Sequence, residues 1–297
     1  MRMYRVFTIA ALMLGLTACG ASRTASWDQT PAAGAKEINK DAAAALEAEG
    51  DEAWTKRAEE APLRVALEKW EKALEADPKN FQLMTKLARA YFFIGDYHLR
   101  FKEDTEGMKG FFEKGVAMGE KAMVSSSPAF EARVKAGEKP EEAVDAIPAA
   151  GQPAMYWYSV CLAKWGREQG FSTILKFKGR IYSIMKRVLE LDPTYFYGAP
   201  HRYFGAYYSL APGFAGGDME KGREHFEKAL EIAPDYIGTR VFFAEAWAEK
   251  EDEEEVWYEQ LNAAMAADPN AIPDVAPENM FEQRKAKARL GMADDLW

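Results

Sequence analysis

The sequence predicts an all-α protein built from helical hairpins, and three observations support this prediction. From about residue 36 onward the apolar residues recur with the 3.6-residue period of a helix, without the two-residue alternation of strands. The periodic stretches are rich in Leu, Ala, Glu and Lys, which are strong helix formers. A pattern of four marked positions also occurs four times. We therefore expect a single compact α-solenoid over residues 36–297.

The repeated pattern places three apolar or small residues before a proline, at spacings of four, three and five residues. Its copies are Ala66, Trp70, Ala73 and Pro78; Ile181, Met185, Val188 and Pro193; Gly222, Phe226, Ala229 and Pro234; and Trp257, Leu261, Ala264 and Pro269. Positions seven apart share one helix face, and the proline ends the helix. The pattern resembles the second helix of the tetratricopeptide repeat. The predicted hairpins are therefore degenerate tetratricopeptide-like repeats.

Two segments depart from this regularity. Residues 125–153 carry four prolines, and we expect short helices or turns there that link two halves of the array. The last helix, predicted over residues 278–290, is charged on one side. Terminal repeats need a polar outer face, so we expect this helix to be the cap of the array.

The N-terminal residues predict export and lipidation. Residues 1–18 combine Arg2 and Arg5 with an apolar run too short to span a bilayer, which is typical of a signal peptide. The run ends in Leu-Thr-Ala-Cys, which resembles the lipobox of bacterial lipoproteins and implies cleavage before Cys19 and lipidation of its thiol. The alternative is a chance cysteine after an ordinary signal peptide. Gly20 replaces the Asp that retains lipoproteins in the inner membrane, so we expect the periplasmic face of the outer membrane.

Residues 19–35 are predicted to be the lipidated cysteine followed by a flexible tether. The segment is small and polar, with no apolar period. A flexible chain of this length has a typical reach of roughly 20–25 Å. The folded domain is therefore expected to stay close to the membrane.

Charge and cysteine content exclude some classes of function. Loss of Arg2 and Arg5 with the signal peptide takes the formal net charge from −9 to −11, which argues against a nucleic-acid partner. After cleavage and lipidation, Cys161 is the only remaining free thiol, so no disulfide within the chain is available. Packing must therefore supply the stability.

The residue pattern does not favour an enzyme or a cofactor. His98, His201 and His225 lack the spacing of a metal pair or of a catalytic base, and we expect the last two to be packed or solvated. Gly216 and Gly217 are not followed by the residues that complete a phosphate loop. We expect a non-enzymatic protein without a cofactor.

Aromatic residues are dense between residues 156 and 214, and they provide candidate binding residues. Neighbouring helical residues point about 100° apart, so Tyr207 and Tyr208 do not share one core face. Either all these rings belong to the core, or some line a groove, a channel or a subunit contact. The candidates for ligand or partner binding are Trp157, Tyr158, Tyr203, Tyr207 and Tyr208.

An insertion at residues 209–217 lengthens the turn inside one hairpin by five residues. It adds Phe214, Gly216 and Gly217 to the binding candidates, and Asp218 is the expected N-cap of the next helix. Insertions in repeat proteins often map to the binding face. The alternative is a tolerated surface insertion.

Residues 155–234 resemble the T component of TRAP transporters, the TatT family. The resemblance rests on the Pro-Ala-x-Tyr-Trp segment at 153–157, the Leu-Asp-Pro turn at 191–193, Gly198-Ala199 before an aromatic helix, and Gly216-Gly217-Asp218. It implies a periplasmic lipoprotein that forms a homotrimer with pores. It also implies a small or hydrophobic ligand and a TRAP-type solute-binding protein as partner. The alternative function is a helical-repeat scaffold lipoprotein for outer-membrane or envelope assembly.

Overall fold

A computed structural model describes residues 21, 23–28 and 38–297 of the chain. Within those ranges the regular structure is helical, with no strand. The predicted all-α fold class is therefore confirmed.

Helices follow one another with short connections. Before the proline-rich stretch lie α1 (Lys40–Trp54), α2 (Glu60–Ala76), α3 (Phe81–Phe93) and α4 (Thr105–Ser126). The middle of the chain forms α5 (Pro128–Lys135), α6 (Pro140–Ala143), α7 (Gln152–Gln169), α8 (Phe171–Leu191) and α9 (Tyr195–Leu210). The last part forms α10 (Met219–Ile232), α11 (Ile237–Phe243), α12 (Glu249–Glu251), α13 (Glu254–Ala266), α14 (Ala276–Leu290) and α15 (Ala293–Leu296). Two π-helical segments, Ile94–Leu99 and Ala244–Ala248, continue α3 and α11.

Polar side chains begin many of these helices. The Asn80 side chain accepts a hydrogen bond from the backbone of Leu83 at 3.0 Å, and Asp218 accepts one from Lys221 at 3.2 Å. Such caps satisfy amide groups that have no partner within the helix. The predicted N-cap at Asp218 is confirmed.

The repeated apolar positions all lie in the interior. The buried set is Ala66, Trp70, Ala73, Ile181, Met185, Val188, Gly222, Phe226, Ala229, Trp257, Leu261 and Ala264. Pairs of consecutive helices pack against each other, among them α1 with α2, α3 with α4, α7 with α8 and α9 with α10. Between α9 and α10 the approach depends on glycine, because a Cβ atom on Gly205 would lie 2.7 Å from the Phe226 ring. The small residue at this position therefore allows the two helices to pack closely.

Helix α14 differs from the polar terminal cap that we expected over residues 278–290. It begins at Ala276, and its Glu278, Asn279 and Phe281 side chains are buried. The Phe281 ring stacks on Tyr97 of the first π segment, with ring centroids 5.2 Å apart. Two of its charged side chains form ion pairs with distant parts of the chain, Glu278 with Arg57 and Lys285 with Asp96. Helix α14 therefore joins the end of the array to its second hairpin.

Residues 21 and 23–28, which lie within the predicted tether, contact the folded domain. Glu120 on α4 is completely buried, and a buried carboxylate requires partners. Arg23 pairs with it, and the Ser26 amide donates to its Oε2 at 2.7 Å. The Trp27 ring lies 5.7 Å from that of Tyr158, and the Ala21 amide donates to Thr173 Oγ1 at 2.9 Å. Residues 21 and 23–28 are therefore docked on the domain.

None of the helices in the described ranges has both the length and the apolar character needed to cross a membrane.

Candidate ligand-binding groove beside a left-handed turn

Three successive residues at the start of α9 have left-handed backbone conformations. Their φ angles are 43° at Phe196, 60° at Tyr197 and 73° at Gly198. Glycine adopts such angles freely, but for other L residues the left-handed conformation costs roughly 1–2 kcal/mol each. Strained backbone of this kind clusters at functional sites. The turn is therefore the starting point for a candidate site.

The surrounding structure holds this turn in place. Arg202, one helical turn later, donates to the carbonyl oxygens of Tyr197 and of Phe196, the latter at 2.9 Å. Its guanidinium also lies 4.1 Å from the ring centroid of Tyr236. The Tyr197 ring also stacks on the Tyr236 ring, with ring centroids 5.4 Å apart and an interplanar angle of 10°. These contacts offset the backbone strain.

The turn points Phe196 into an aromatic cluster on α7. Its ring centroid lies 5.2 Å from that of Trp157 and 5.8 Å from that of Tyr156. The guanidinium of Arg89 lies 5.0 Å from the Phe196 centroid. The same guanidinium donates to Glu278 of α14 at 2.7 Å. Phe196 therefore links the left-handed turn to α3, α7 and α14.

An open groove of about 440 Å³ lies on the outer side of the turn. It is lined by Asp192, Thr194, Tyr195, Phe196, Tyr197, Ile232 and Ala233. Its lining is mostly aromatic and aliphatic and includes one carboxylate and one threonine hydroxyl, which donates a hydrogen bond to that carboxylate. That composition suits a small, partly apolar ligand held by ring contacts and a few hydrogen bonds.

Burial raises the pKa values of the nearby tyrosines. Burial raises the pKa of Tyr195 and of Tyr197 above the ordinary value, and for Tyr195 the neighbouring Tyr156 adds to the increase. Burial also raises the pKa of Tyr236, although Arg202 opposes the increase. The three hydroxyl groups are protonated at neutral pH, as tyrosines ordinarily are, and can donate hydrogen bonds.

The structure separates the sequence-predicted candidates into two places. Trp157 belongs to the aromatic cluster behind the groove and is 5% exposed. Tyr158, its neighbour on α7, is completely buried on another side and contacts Trp27 of the N-terminal segment. Tyr158 therefore lies in the core and does not line the groove.

The other aromatic candidates form a second cluster on α9. Tyr203, Tyr207 and Tyr208 are half-buried. The Tyr207 ring lies 4.9 Å from that of Tyr182 on α8, and Tyr203 lies 6.1 Å from Tyr207. These rings join α8 and α9 close to the inserted loop.

The loop candidates have different roles in that insertion. Phe214 is 96% exposed at the tip of a short turn. Gly216 has a φ of 92°, and Gly217 is packed so tightly that a Cβ atom there would lie 1.8 Å from the carbonyl oxygen of Ala211. The two glycines are therefore needed by the backbone of the turn. Cys19, the predicted lipidation site, lies outside the described residues.

Sequence reasoning missed two features. The left-handed turn has a weak signal in Tyr-Phe-Tyr-Gly before Pro200, because glycine and proline mark a turn without giving its hand. The other is a contact between His201 and His225, whose Nδ1 atoms are 2.9 Å apart. Their separation of 24 residues matches no metal-site spacing. No group of three or more metal-binding side chains occurs in the described part of the chain.

Cys161 is packed as an inert thiol. It is completely buried on α7 and donates a weak hydrogen bond to the Ala88 carbonyl oxygen at 3.5 Å. Burial raises the pKa of the thiol above its ordinary value, which disfavours the reactive thiolate.

Comparison with known proteins identifies the family. A family model described as the TRAP transporter T-component matches residues 57–297, a range that includes α2 to α15 and the left-handed turn. None of the curated proteins compared with the chain matches it. Members of this family are components associated with TRAP transport systems, and the family is not an enzyme family. From the extent of this match, the chain belongs to the TRAP transporter T-component family.

Proposed function

We propose that this protein is a non-enzymatic, lipid-anchored adaptor that acts with the solute-binding protein of a TRAP system. The family match over residues 57–297 carries the proposal. The lipobox-like sequence before Cys19 supports attachment to a membrane, and Gly20 supports the periplasmic face of the outer membrane. In this proposal a small or hydrophobic ligand passes between the two proteins.

We place ligand contact in the groove beside the left-handed turn. A strained turn persists only where surrounding contacts hold it, and here those contacts come from Arg202 and Tyr236. Phe196 and Tyr197 of this turn are among the residues that line the groove. A rigid aromatic surface of this kind binds apolar groups with little loss of side-chain freedom.

The partner is tested by co-purification. The mature protein is expected to retain the solute-binding protein encoded in a TRAP operon of the same genome. Failure to retain any such protein would contradict the adaptor function. Retention of unfolded outer-membrane proteins in its place would favour the envelope-assembly alternative.

The groove is tested by filling it. Ile232→Trp puts a large ring on the groove wall, whereas Glu231→Trp puts the same ring on the exposed neighbouring position. The fluorescent probe 8-anilinonaphthalene-1-sulfonate is expected to bind the unaltered protein and Glu231→Trp alike, and Ile232→Trp weakly. Equal binding to all three would contradict the assignment of the groove.

We also propose a homotrimer, following the family resemblance. Apolar side chains near the C-terminus remain exposed and offer area for a subunit contact: Met280, Met292, Leu296 and Trp297. Light scattering of the protein without residues 1–19 is expected to give the trimer mass. A monomer throughout the micromolar range would contradict this assembly.

A further inference from the structure

The docked N-terminal segment determines where the proposed lipid anchor leaves the folded domain. The Ala21 amide is bound to Thr173 in the first turn of α8, at 2.9 Å. Cys19 is two residues earlier, and two residues of extended chain reach about 7 Å. The acyl chains on Cys19 must therefore emerge near the start of α8.

The same region exposes large apolar side chains. Phe171 and Leu175 lie one helical turn apart on α8 and are 72% and 51% exposed. Lys178, on the same stripe of α8, donates to the Ala215 carbonyl oxygen and so joins this helix to the inserted loop. The neighbouring residue in that loop, Phe214, is almost completely exposed. We call Phe171, Leu175, Lys176 and Phe214 the anchor-proximal surface.

The charge of α8 is opposite to that of the whole chain. Residues 171–191 contain five basic residues and one acidic residue, a formal charge of +4 in a protein of net charge −9. Arg180 pairs with Glu141, and Lys186 and Arg187 pair with Glu190, so Lys176 and Lys178 are the basic residues next to the exposed apolar side chains. Lys176 is exposed beside the apolar side chains. Basic residues beside exposed apolar ones are typical of helices that lie in the membrane interface, where anionic head groups attract the cations.

We propose that the anchor-proximal surface lies against the lipid bilayer, with Phe171, Leu175 and Phe214 in the interfacial region. The proposal rests on lipid attachment at Cys19, proposed above. The lipid on Cys19 would hold the domain at the membrane, and the apolar side chains of this surface would add a second contact that orients it. The docked segment and this surface together fix the orientation of the domain on the membrane. The insertion at residues 209–217 then contacts the membrane through Phe214.

Fluorescence quenching tests this orientation. Phe171→Cys, Phe214→Cys and the control Met265→Cys are each introduced into the full chain, which is then processed and lipidated in cells. Met265 is a matched control, because it is an exposed apolar residue on α13, in another hairpin. Cys161 is buried, so the introduced thiol takes the nitrobenzoxadiazole label. The protein is reconstituted into phosphatidylethanolamine–phosphatidylglycerol vesicles that carry nitroxide on their acyl chains.

The expected result is flotation of all three proteins with the vesicles and quenching at positions 171 and 214 but not at 265. Flotation with equal quenching at the three positions, or with none, would overturn the proposed orientation and leave the anchor intact. Failure to float would overturn lipid attachment itself, and the orientation with it.

A second experiment without vesicles distinguishes a protein contact from a membrane contact. The labelled variants are prepared with Cys19→Ser and studied at increasing concentration and with added solute-binding protein. The emission at positions 171 and 214 is expected to stay constant. A shift confined to these two positions would show that the surface binds protein, either a second copy or the partner, and would overturn the membrane assignment.

Discussion

Phe196 and Tyr197 show how one arginine maintains a strained turn. Both residues have positive φ, and their carbonyl oxygens point at the Arg202 guanidinium. Arg202 is buried, and these two carbonyl groups and the face of Tyr236 stabilise its guanidinium. The turn and the arginine therefore stabilise each other.

Arg202→Ala is expected to lower the free energy of unfolding by about 2–4 kcal/mol, because it removes two charge-assisted hydrogen bonds and a cation–π contact. Urea denaturation measures the change. Arg64→Ala, which removes a half-exposed arginine on α2, is the control and is expected to change it by less than about 0.5 kcal/mol. Equal effects of the two changes would show that the turn does not depend on Arg202.

The His201–His225 contact predicts a pH dependence of stability. Burial, then His225 and Lys228, lower the pKa of His201 to about 4, and burial lowers the pKa of His225. As the pH falls, these two histidines therefore take up protons at a higher pH in the unfolded chain than in the folded protein. The contribution to stability is complete above the unfolded pKa of about 6.5 and is lost as the pH falls towards the folded pKa.

Denaturation midpoints measured between pH 7 and about pH 4 check this prediction. The midpoint is expected to fall with pH in the unaltered protein and to fall less in His201→Gln. His98, whose pKa burial also lowers, contributes in the same direction to both proteins, so the difference between them isolates the pair. Parallel pH profiles would contradict the assignment.

At the scale of elements, α14 is an interior helix that carries charge. Glu278 accepts from Arg57 at 2.6 Å and from Arg89 at 2.7 Å, and its side chain is 4% exposed. Loss of one partner from a buried ion pair is costly, because the remaining charge stays buried without compensation. The helix is thus held by its ionic contacts as well as by Phe281.

Glu278→Ala is expected to lower the free energy of unfolding by about 3–5 kcal/mol. Lys287→Ala, at an exposed position of the same helix, is the control and is expected to change it by less than about 0.5 kcal/mol. Thermal and urea denaturation measure both. A small effect of Glu278→Ala would restore the interpretation of α14 as a terminal cap.

At the scale of the whole molecule, long-range contacts close the helical array. Asp96 on the first π segment binds Lys164 of α7 at 2.6 Å and Lys285 of α14 at 3.1 Å. Burial alone would raise the pKa of Asp96, but Lys164, Lys285 and Arg100 outweigh it and hold this pKa well below its usual range. Helix α14 also contacts the last hairpin, through Arg289 and Glu249.

This closure predicts one cooperative unfolding transition. Open repeat arrays contact only their neighbours and can unfold in parts, whereas α14 here connects distant hairpins. Circular dichroism and tryptophan fluorescence are expected to give coincident urea transitions. Asp96→Asn is expected to move both to lower urea together. Separate transitions in the unaltered protein would show that the two halves unfold independently.

The sequence by itself determined the helical class, the buried repeat positions and the family. Apolar periodicity is local, so the buried positions of Trp70, Phe226 and Trp257 follow from the neighbouring residues on each helix. The N-cap at Asp218 and the exposed tip at Phe214 follow from turn chemistry, which is also local.

Only the tertiary structure decided the features that depend on distant partners. The sequence of α14 predicts a solvent-exposed charged face, but in the structure Glu278 pairs with Arg57 and Lys285 pairs with Asp96. Both partners lie about two hundred residues earlier in the chain. Residues 23–28 look like a tether because nothing nearby reveals the buried Glu120 that binds them. The left-handed turn likewise exists because Arg202 and Tyr236 offset its strain. Local sequence encodes which surfaces are apolar, but the pairing of buried charges and the position of strained backbone depend on contacts that form when the whole chain folds.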